Sequence, residues 1–321
     1  MSIESFHIDA LPNQFWANVN WFLFSISYEA RSPVVRKRVP GAHVRCMGFY
    51  NANHEYNSDA LAKAKSDLPE MLAVALDSDQ PLKTLDAIRQ AVGTLVAVEG
   101  LVGVAVDITC FTREALAMLV MTLKHLLPEG SRIFCVYNPA KSYGGIANRE
   151  PHQAWLSRGI VDIRSILGFR GRVSLIADTH LILIPGIEIE RAHCIIDALQ
   201  PNRITIGYIE SEESIRPELV PVVTAMHERL VNYYPDQRVS KLAFSAKNPV
   251  FTMRRILECA SEDENCVVAC LNTKLAMMGV VMAALRNRDI QIIYAQPVAY
   301  NVSELSEPSE EVLVFEIVDG D

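Results

Sequence analysis

ACLNTKLAMMGVVMAAL, residues 269–285, is among the most apolar stretches of this chain, yet Asn272, Thr273 and Lys274 interrupt it near its start. An unpaired ammonium in a buried segment costs roughly several kcal/mol even after relaxation. The stretch therefore reads as three pieces: the end of a buried strand, a polar turn, and a long apolar helix. Hydroxyl and amide suit the helix cap, and the cation faces a crevice where strand becomes helix.

The same order recurs in the chain. GVAVDITCFTREALAMLVMTLKHLLPEGSRIFCVYNPAKSYG (103–144) and CVVACLNTKLAMMGVVMAALRNRDIQIIYAQPVAYN (266–301) each read strand, polar turn, long apolar helix, strand. Thr112-Arg113 matches Thr273-Lys274, and Tyr137 and Tyr143 match Tyr294 and Tyr300 at an offset of 157 residues. A second pair precedes these blocks. FLFSISYEARSPVVRKRVPGAHVRCMGFY (22–50) and LILIPGIEIERAHCIIDALQPNRITIGYI (181–209) each read strand, short turn, helix of similar length, and strand ending in Gly-aromatic. An offset of 159 residues puts Glu29 on Glu188 and Gly48 on Gly207. Offsets near half the chain length indicate internal duplication; the shared composition of βαβ units is the alternative.

Between the matched blocks lie helical patterns: DALAKAKSDLPEMLAVAL (59–76), PLKTLDAIRQAVGTL (81–95), PELVPVVTAMHERLVNYY (217–234) and PVFTMRRILECA (249–260). Strands alternate with helices and are apolar almost throughout, which predicts parallel sheets covered on both faces. The fold class is α/β, with two pseudo-repeated Rossmann-like lobes, each a mostly parallel sheet covered by helices. The expected division is a first lobe over 1–148, a connector over 149–177 and a second lobe over 178–321. EVLVFEIV (311–318) is expected as a closing strand, antiparallel and on an edge.

Composition bounds the function. The 321 residues suffice for two domains, and the net charge of −8 argues against non-specific nucleic-acid binding. The seven cysteines are odd in number and form no CxxC, as expected of reduced thiols in a cytoplasmic protein without a zinc site. MSIESFHIDALPNQF has neither the basic nor the apolar region of a signal peptide. With Lys274 inside it and Arg286 and Arg288 after it, the opening stretch reads as core and not as a membrane span. GxGxxG after the first strand, GxxxxGK[ST] and GxSxG are all missing. Arg38 and His43 have a ribonuclease-like spacing, but Pro40 and Gly41 forbid the helix that chemistry needs. No cofactor and no metal are expected.

Ligands of parallel α/β sheets bind outside the carboxyl ends of the strands, near helix N-termini where unpaired N–H groups welcome anions. Four polar turns take that place: 25–32, 107–113, 185–191 and 271–274. Thr and Asn there suit caps and the acids suit first turns, as in any α/β protein. The cations do not: Arg31, Arg113, Arg191 and Lys274 all oppose the helix dipole. Their counter-charge is expected to be an anionic ligand, or else Glu29 and Glu188. Those glutamates are expected to meet ligand hydroxyls or base amines, or to hold the arginines, and to avoid phosphate. Tyr143 and Tyr300 could stack on bases.

DITCFTREALAML and ACLNTKLAMMG resemble the Asp/Asn-x-Thr-Gly-Gly-Thr-Lys motif of CARF domains, the CRISPR-associated Rossmann-fold sensors. The Gly-Gly pair is replaced by Cys110-Phe111 in one copy and Leu271-Asn272 in the other. Two such lobes in one chain resemble the SAVED sensors. The resemblance implies a cyclic oligonucleotide bound in a cleft between two lobes by Thr109, Thr112 and Arg113 and by Asn272, Thr273 and Lys274, with Ser27 and Gly186 added from the first-strand turns. It implies a nucleotide sensor in bacterial antiphage defence that acts through a separate effector protein. A ring-nuclease-like phosphodiesterase and a non-catalytic scaffold subunit are the alternatives.

Overall fold

The computed structural model describes residues 3–41, 43–98, 100–143, 156–234, 238–302 and 306–318. In chain order the elements are β1 (Glu4–His7), α1 (Asn13–Trp16), β2 (Trp21–Ile26), α2 (Ser32–Arg36), β3 (Arg45–Asn51), α3 (Asn57–Asp67), β4 (Leu72–Leu76), α4 (Pro81–Val98), β5 (Gly103–Asp107), α5 (Arg113–Leu126), β6 (Arg132–Tyr137), β7 (Ala140–Tyr143), β8 (Ser157–Arg158) and β9 (Asp162–Arg170). They continue with β10 (Thr179–Ile184), α6 (Ile189–Leu199), β11 (Arg203–Tyr208), α7 (Val220–Tyr233), β12 (Arg238–Ala243), α8 (Pro249–Cys259), β13 (Asn265–Cys270), α9 (Lys274–Arg286), β14 (Gln291–Gln296), β15 (Ala299–Tyr300), β16 (Ser306–Pro308) and β17 (Glu311–Glu316).

The protein is α/β, with one seven-stranded and one six-stranded sheet, each mostly parallel. The first runs β1-β17-β6-β5-β2-β3-β4 and the second β12-β11-β10-β13-β14-β9. Strands β2 to β6 are parallel, as are β10 to β14; β17 is antiparallel to β6 and β9 antiparallel to β14. Read from β4 and from β12, the two orders are the same for the five parallel strands, and an antiparallel strand follows in each, β17 from late in the chain and β9 from before the parallel strands. Within the parallel strands each order reverses once, between β2 and β5 and between β10 and β13.

Right-handed crossovers put the helices on either side of that reversal on opposite faces. Alternate residues of β2 point one way, so Phe22, Phe24 and Ile26 join Val35 of α2 and Ala64 of α3 in one core. In the second sheet Leu181 and Leu183 join Ala192, Ile195 and Ile196 of α6 and Leu230 of α7. Helix α4 packs on α5, and α8 on α9. Every residue of α9 from Leu275 to Ala284 is buried, which is why its sequence is apolar all round. Gly48 of β3 sits where a Cβ would strike Ile26 Cδ1 at 2.6 Å.

The structure departs from the sequence reading in four places. The run expected as helix over 59–76 breaks: α3 ends at Asp67, and LAVAL becomes strand β4. Pro69 and Glu70 cut the pattern, and a five-residue apolar run fits strand as well as helix. The helix after β2 is five residues long against eleven after β10, because Pro40 disfavours helix at Val39. The expected connector carries β8 and β9, and β9 is a full member of the second sheet. The closing strand β17 lies between β1 and β6, inside the first sheet and not at an edge.

The chain divides into two compact units, residues 1–144 with 305–321, and residues 145–304. The first unit is thus completed by the end of the chain, and the second by the segment that follows β7. Ribbons repeat the pattern: β7 pairs with β16, and β8 with β15.

Candidate functional site

The four turns named from sequence lie at the two reversals of strand order, the position where open α/β sheets bind ligands. In the first unit the turns after β2 and β5 meet: Ser25 Oγ donates to Cys110 O at 3.2 Å. In the second, Asn272 Nδ2 donates to Pro185 O at 2.7 Å. A Cβ on Gly186 would come within 2.2 Å of Leu271 O, so only glycine lets these two turns pack backbone to backbone.

The long helices open alike. Thr112 Oγ1 accepts from Ala115 N, and Thr273 Oγ1 accepts from Ala276 N, each at 3.1 Å. Thr273 also donates to Ala246 O at 2.7 Å. Arg113 and Lys274 are the first helical residues after those caps, and both are half-buried. Ser27 Oγ accepts from Glu29 N at 3.3 Å, and Ser27 N donates to Ser32 Oγ at 3.1 Å, which folds the turn after β2. Thr109 is buried: its N–H donates to Asp107 Oδ1 and its Oγ1 accepts from Asn138 N, both at 3.0 Å. Burial pushes the Asp107 carboxyl up to about 6, against the Thr109 hydrogen bonds and the charges of Arg31 and Arg36.

The first-strand arginines do not reach outward. Arg31 is buried and its Nη2 donates to Glu29 Oε2 at 2.7 Å, while Nη1 donates to Asn138 O at 3.4 Å. Burial opposes the Arg31 charge, and Glu29 together with Tyr137, Cys110 and Tyr143 more than restores it, so the guanidinium stays ionised. Arg191 is buried too: Nη1 donates to Glu188 Oε2 at 2.8 Å and to Ser157 Oγ at 3.0 Å, and Nη2 to Ala295 O. The counter-charge of both arginines is thus a glutamate of the same turn.

Two serines complete these clusters. Ser306 Oγ donates to Glu29 Oε2 at 3.2 Å. Ser157 donates through both its N–H and its Oγ to Glu188 Oε1. Ser306 stands opposite Tyr143 in the β7–β16 ribbon, and Ser157 opposite Tyr300 in the β8–β15 ribbon. Tyr143 and Tyr300 are half-buried, and the Tyr300 hydroxyl lies 3.4 Å from that of Tyr294. Sequence reasoning missed Ser157, Ser306 and Asn138. For the serines no local signal existed, because each is distant in the chain from its glutamate: Ser306 by 277 positions from Glu29, and Ser157 by 31 from Glu188.

No family model matches this chain, and no curated protein matches it. Among solved structures it is similar to a Type III CRISPR defence DNA nuclease activated by cyclic oligoadenylate, with a TM-score of 0.49 and 10% identity over 82% of this chain and 63% of that one. It is similar to Aeropyrum pernix fibrillarin in complex with S-adenosyl-L-methionine, with a TM-score of 0.25 and 14% identity over 47% of this chain and 62% of that one. An O-methyltransferase family 2 protein from Planctomyces limnophilus gives a TM-score of 0.24 and 14% identity over 40% and 36%. The chain spans less than two thirds of each of these three.

Proposed function

We propose that this protein is a duplicated sensor of an anionic nucleotide second messenger in bacterial antiphage defence, acting through a separate effector protein. The observation that carries the reading is the coincidence of the candidate turns with the strand-order reversal in both sheets. Each reversal offers a helix of more than a dozen residues with a threonine cap and a cation at its first position, Arg113 or Lys274. Backbone N–H groups at such ends favour phosphate, and the cations add charge. The resemblance of these turns to the CARF motif supports a cyclic oligonucleotide as the messenger.

Incubating the purified protein with cyclic oligoadenylates, with calorimetry and chromatography of the nucleotide, tests the reading. Ligand bound and recovered intact is the expected result. A linear product would make the protein a phosphodiesterase, and neither binding nor cleavage would make it a scaffold subunit.

A further inference from the structure

Each buried arginine keeps one unused donor. Arg31 Nε and Arg191 Nε are both enclosed and have no hydrogen-bond partner. Their side chains are 9% and 3% exposed. A buried unsatisfied N–H on a charged group is costly, and it recurs in both units, beside the turn that follows the same strand of the sheet. An acceptor is wanted there, and the glutamates do not reach it. The serine ribbons hold the same glutamates: Ser306 of β16 is hydrogen-bonded to Glu29, and Ser157 of β8 to Glu188.

We propose that the Ser306–Glu29–Arg31 and Ser157–Glu188–Arg191 clusters are latches that an arriving anion opens: a phosphate oxygen takes the arginine Nε, the glutamate yields, and the serine ribbon lets go. Ser306 and Ser157 are then positioning residues, and the freed ribbons are the surface that changes when the messenger binds. This rests on the reading of the turns as a nucleotide site. The chemistry follows from competition for one guanidinium. Carboxylate and phosphate both prefer its planar edge, so the anion is favoured only when it gains the unused donor as well. A ligand shifts an equilibrium by its differential affinity for the two states, and the orphan donor supplies that difference.

The test is hydrogen exchange of the full-length protein with mass spectrometry, alone and with cyclic tri-, tetra- or hexa-adenylate or with inorganic pyrophosphate. Faster exchange in 156–158 and 306–308 on ligand binding is expected. Ser157→Ala and Ser306→Ala should loosen the same ribbons without ligand and should tighten ligand binding by about three- to tenfold, since one charge-assisted hydrogen bond no longer has to be broken. Ser→Thr should restore wild-type behaviour. A merely structural serine would give the opposite sign, weaker binding on Ser→Ala. Nucleotide bound with both ribbons unchanged or better protected overturns the latch and leaves the sensor reading standing. Ribbons loosened by pyrophosphate while no cyclic nucleotide binds supports the latch and sinks the nucleotide reading. Ribbons unmoved by every ligand and by Ser→Ala overturn the latch outright.

Discussion

Thr112 and Thr273 cap α5 and α9 through the same hydrogen bond, Oγ1 to the N–H three residues on, at the same length of 3.1 Å. They differ in what else they hold, since only Thr273 also donates to Ala246 O. An N-cap threonine contributes about 1 kcal/mol. Thr112→Ala is expected to cost about that much, and Thr273→Ala about 1 kcal/mol more for the second bond. Urea unfolding of the two variants checks the order; equal losses would show that the Ala246 contact contributes nothing.

The two buried ion pairs are expected to differ in the same way. Glu188 is 9% exposed and Glu29 24%. Removing one partner of a buried pair strands the other charge and costs about 3–5 kcal/mol. Glu188→Gln should approach that figure, and Glu29→Gln should fall below it, because water reaches the carboxylate. Denaturant midpoints of the two variants give the comparison, and a larger loss for Glu29→Gln would contradict it.

Asp107 should make the first unit prefer mild acid. Its carboxyl is raised by burial from 3.8 to about 6, so between those values the folded chain binds the proton that the unfolded chain has lost. Below about pH 4 the group costs nothing; as pH rises through 6 the charge must be buried, and stability falls. The full cost is about 3 kcal/mol at 1.36 kcal/mol per pKa unit. Asp107→Asn keeps the acceptor for Thr109 N and removes the charge. It should raise the melting temperature at pH 7.5 and leave it alone at pH 4.

His180 acts in the opposite direction over the same range. Burial and the nearby Arg203 lower it from 6.5 to about 4, so the folded protein keeps it neutral. Its Nε2 lies 2.7 Å from Thr205 Oγ1; its Nδ1 lies 3.2 Å from Glu264 Oε2, without hydrogen-bond geometry. Stability from this group is present above 6.5 and is lost as pH falls toward 4. The wild-type profile should therefore be shallow where the two groups oppose each other, and His180→Gln should leave the Asp107 slope uncompensated, so that stability falls more steeply between about pH 4 and pH 6. A profile of unchanged slope in His180→Gln would remove this histidine from the account.

Arg113→Ala and Lys274→Ala test the helix-opening cations. Each opposes its dipole and is half-buried, so fold stability should change by less than about 1 kcal/mol. Affinity for a cyclic oligoadenylate should drop by about 1.5–3 kcal/mol, the scale of a hydrogen bond to a charged group. Isothermal titration with thermal melting separates the two effects, and unfolding of either variant would mark the side chain as structural.

The alternation of strand and helix was legible, and so were the turns, because polar residues between two apolar runs have few places to go. Thr112 and Thr273 could be read as caps from their spacing alone. Strand β4 could not, since LAVAL carries no period that separates strand from helix. The burial of Arg31 and Arg191 was half visible: a nearby glutamate was foreseen as counter-charge, but their depth depends on Asn138 and Ala295 at the ends of other strands. Ser157 and Ser306 were invisible because short two-residue and three-residue strands leave no periodicity and because β16 and the β7 it pairs with are separated by the whole second unit.

The return of β17, from beyond the second unit, to the first sheet bears on how such a gene can change. A break at its midpoint would leave β6 with a bare edge and β1 without its partner in the first fragment, while the second fragment would keep β9 but trail β17 with nothing to pair. Bare strand edges are templates for aggregation, so neither fragment would survive as a useful smaller protein. The returning strand thus acts as a ratchet: lengthening and loop variation stay open to the lineage, while separation into two chains at the midpoint is closed.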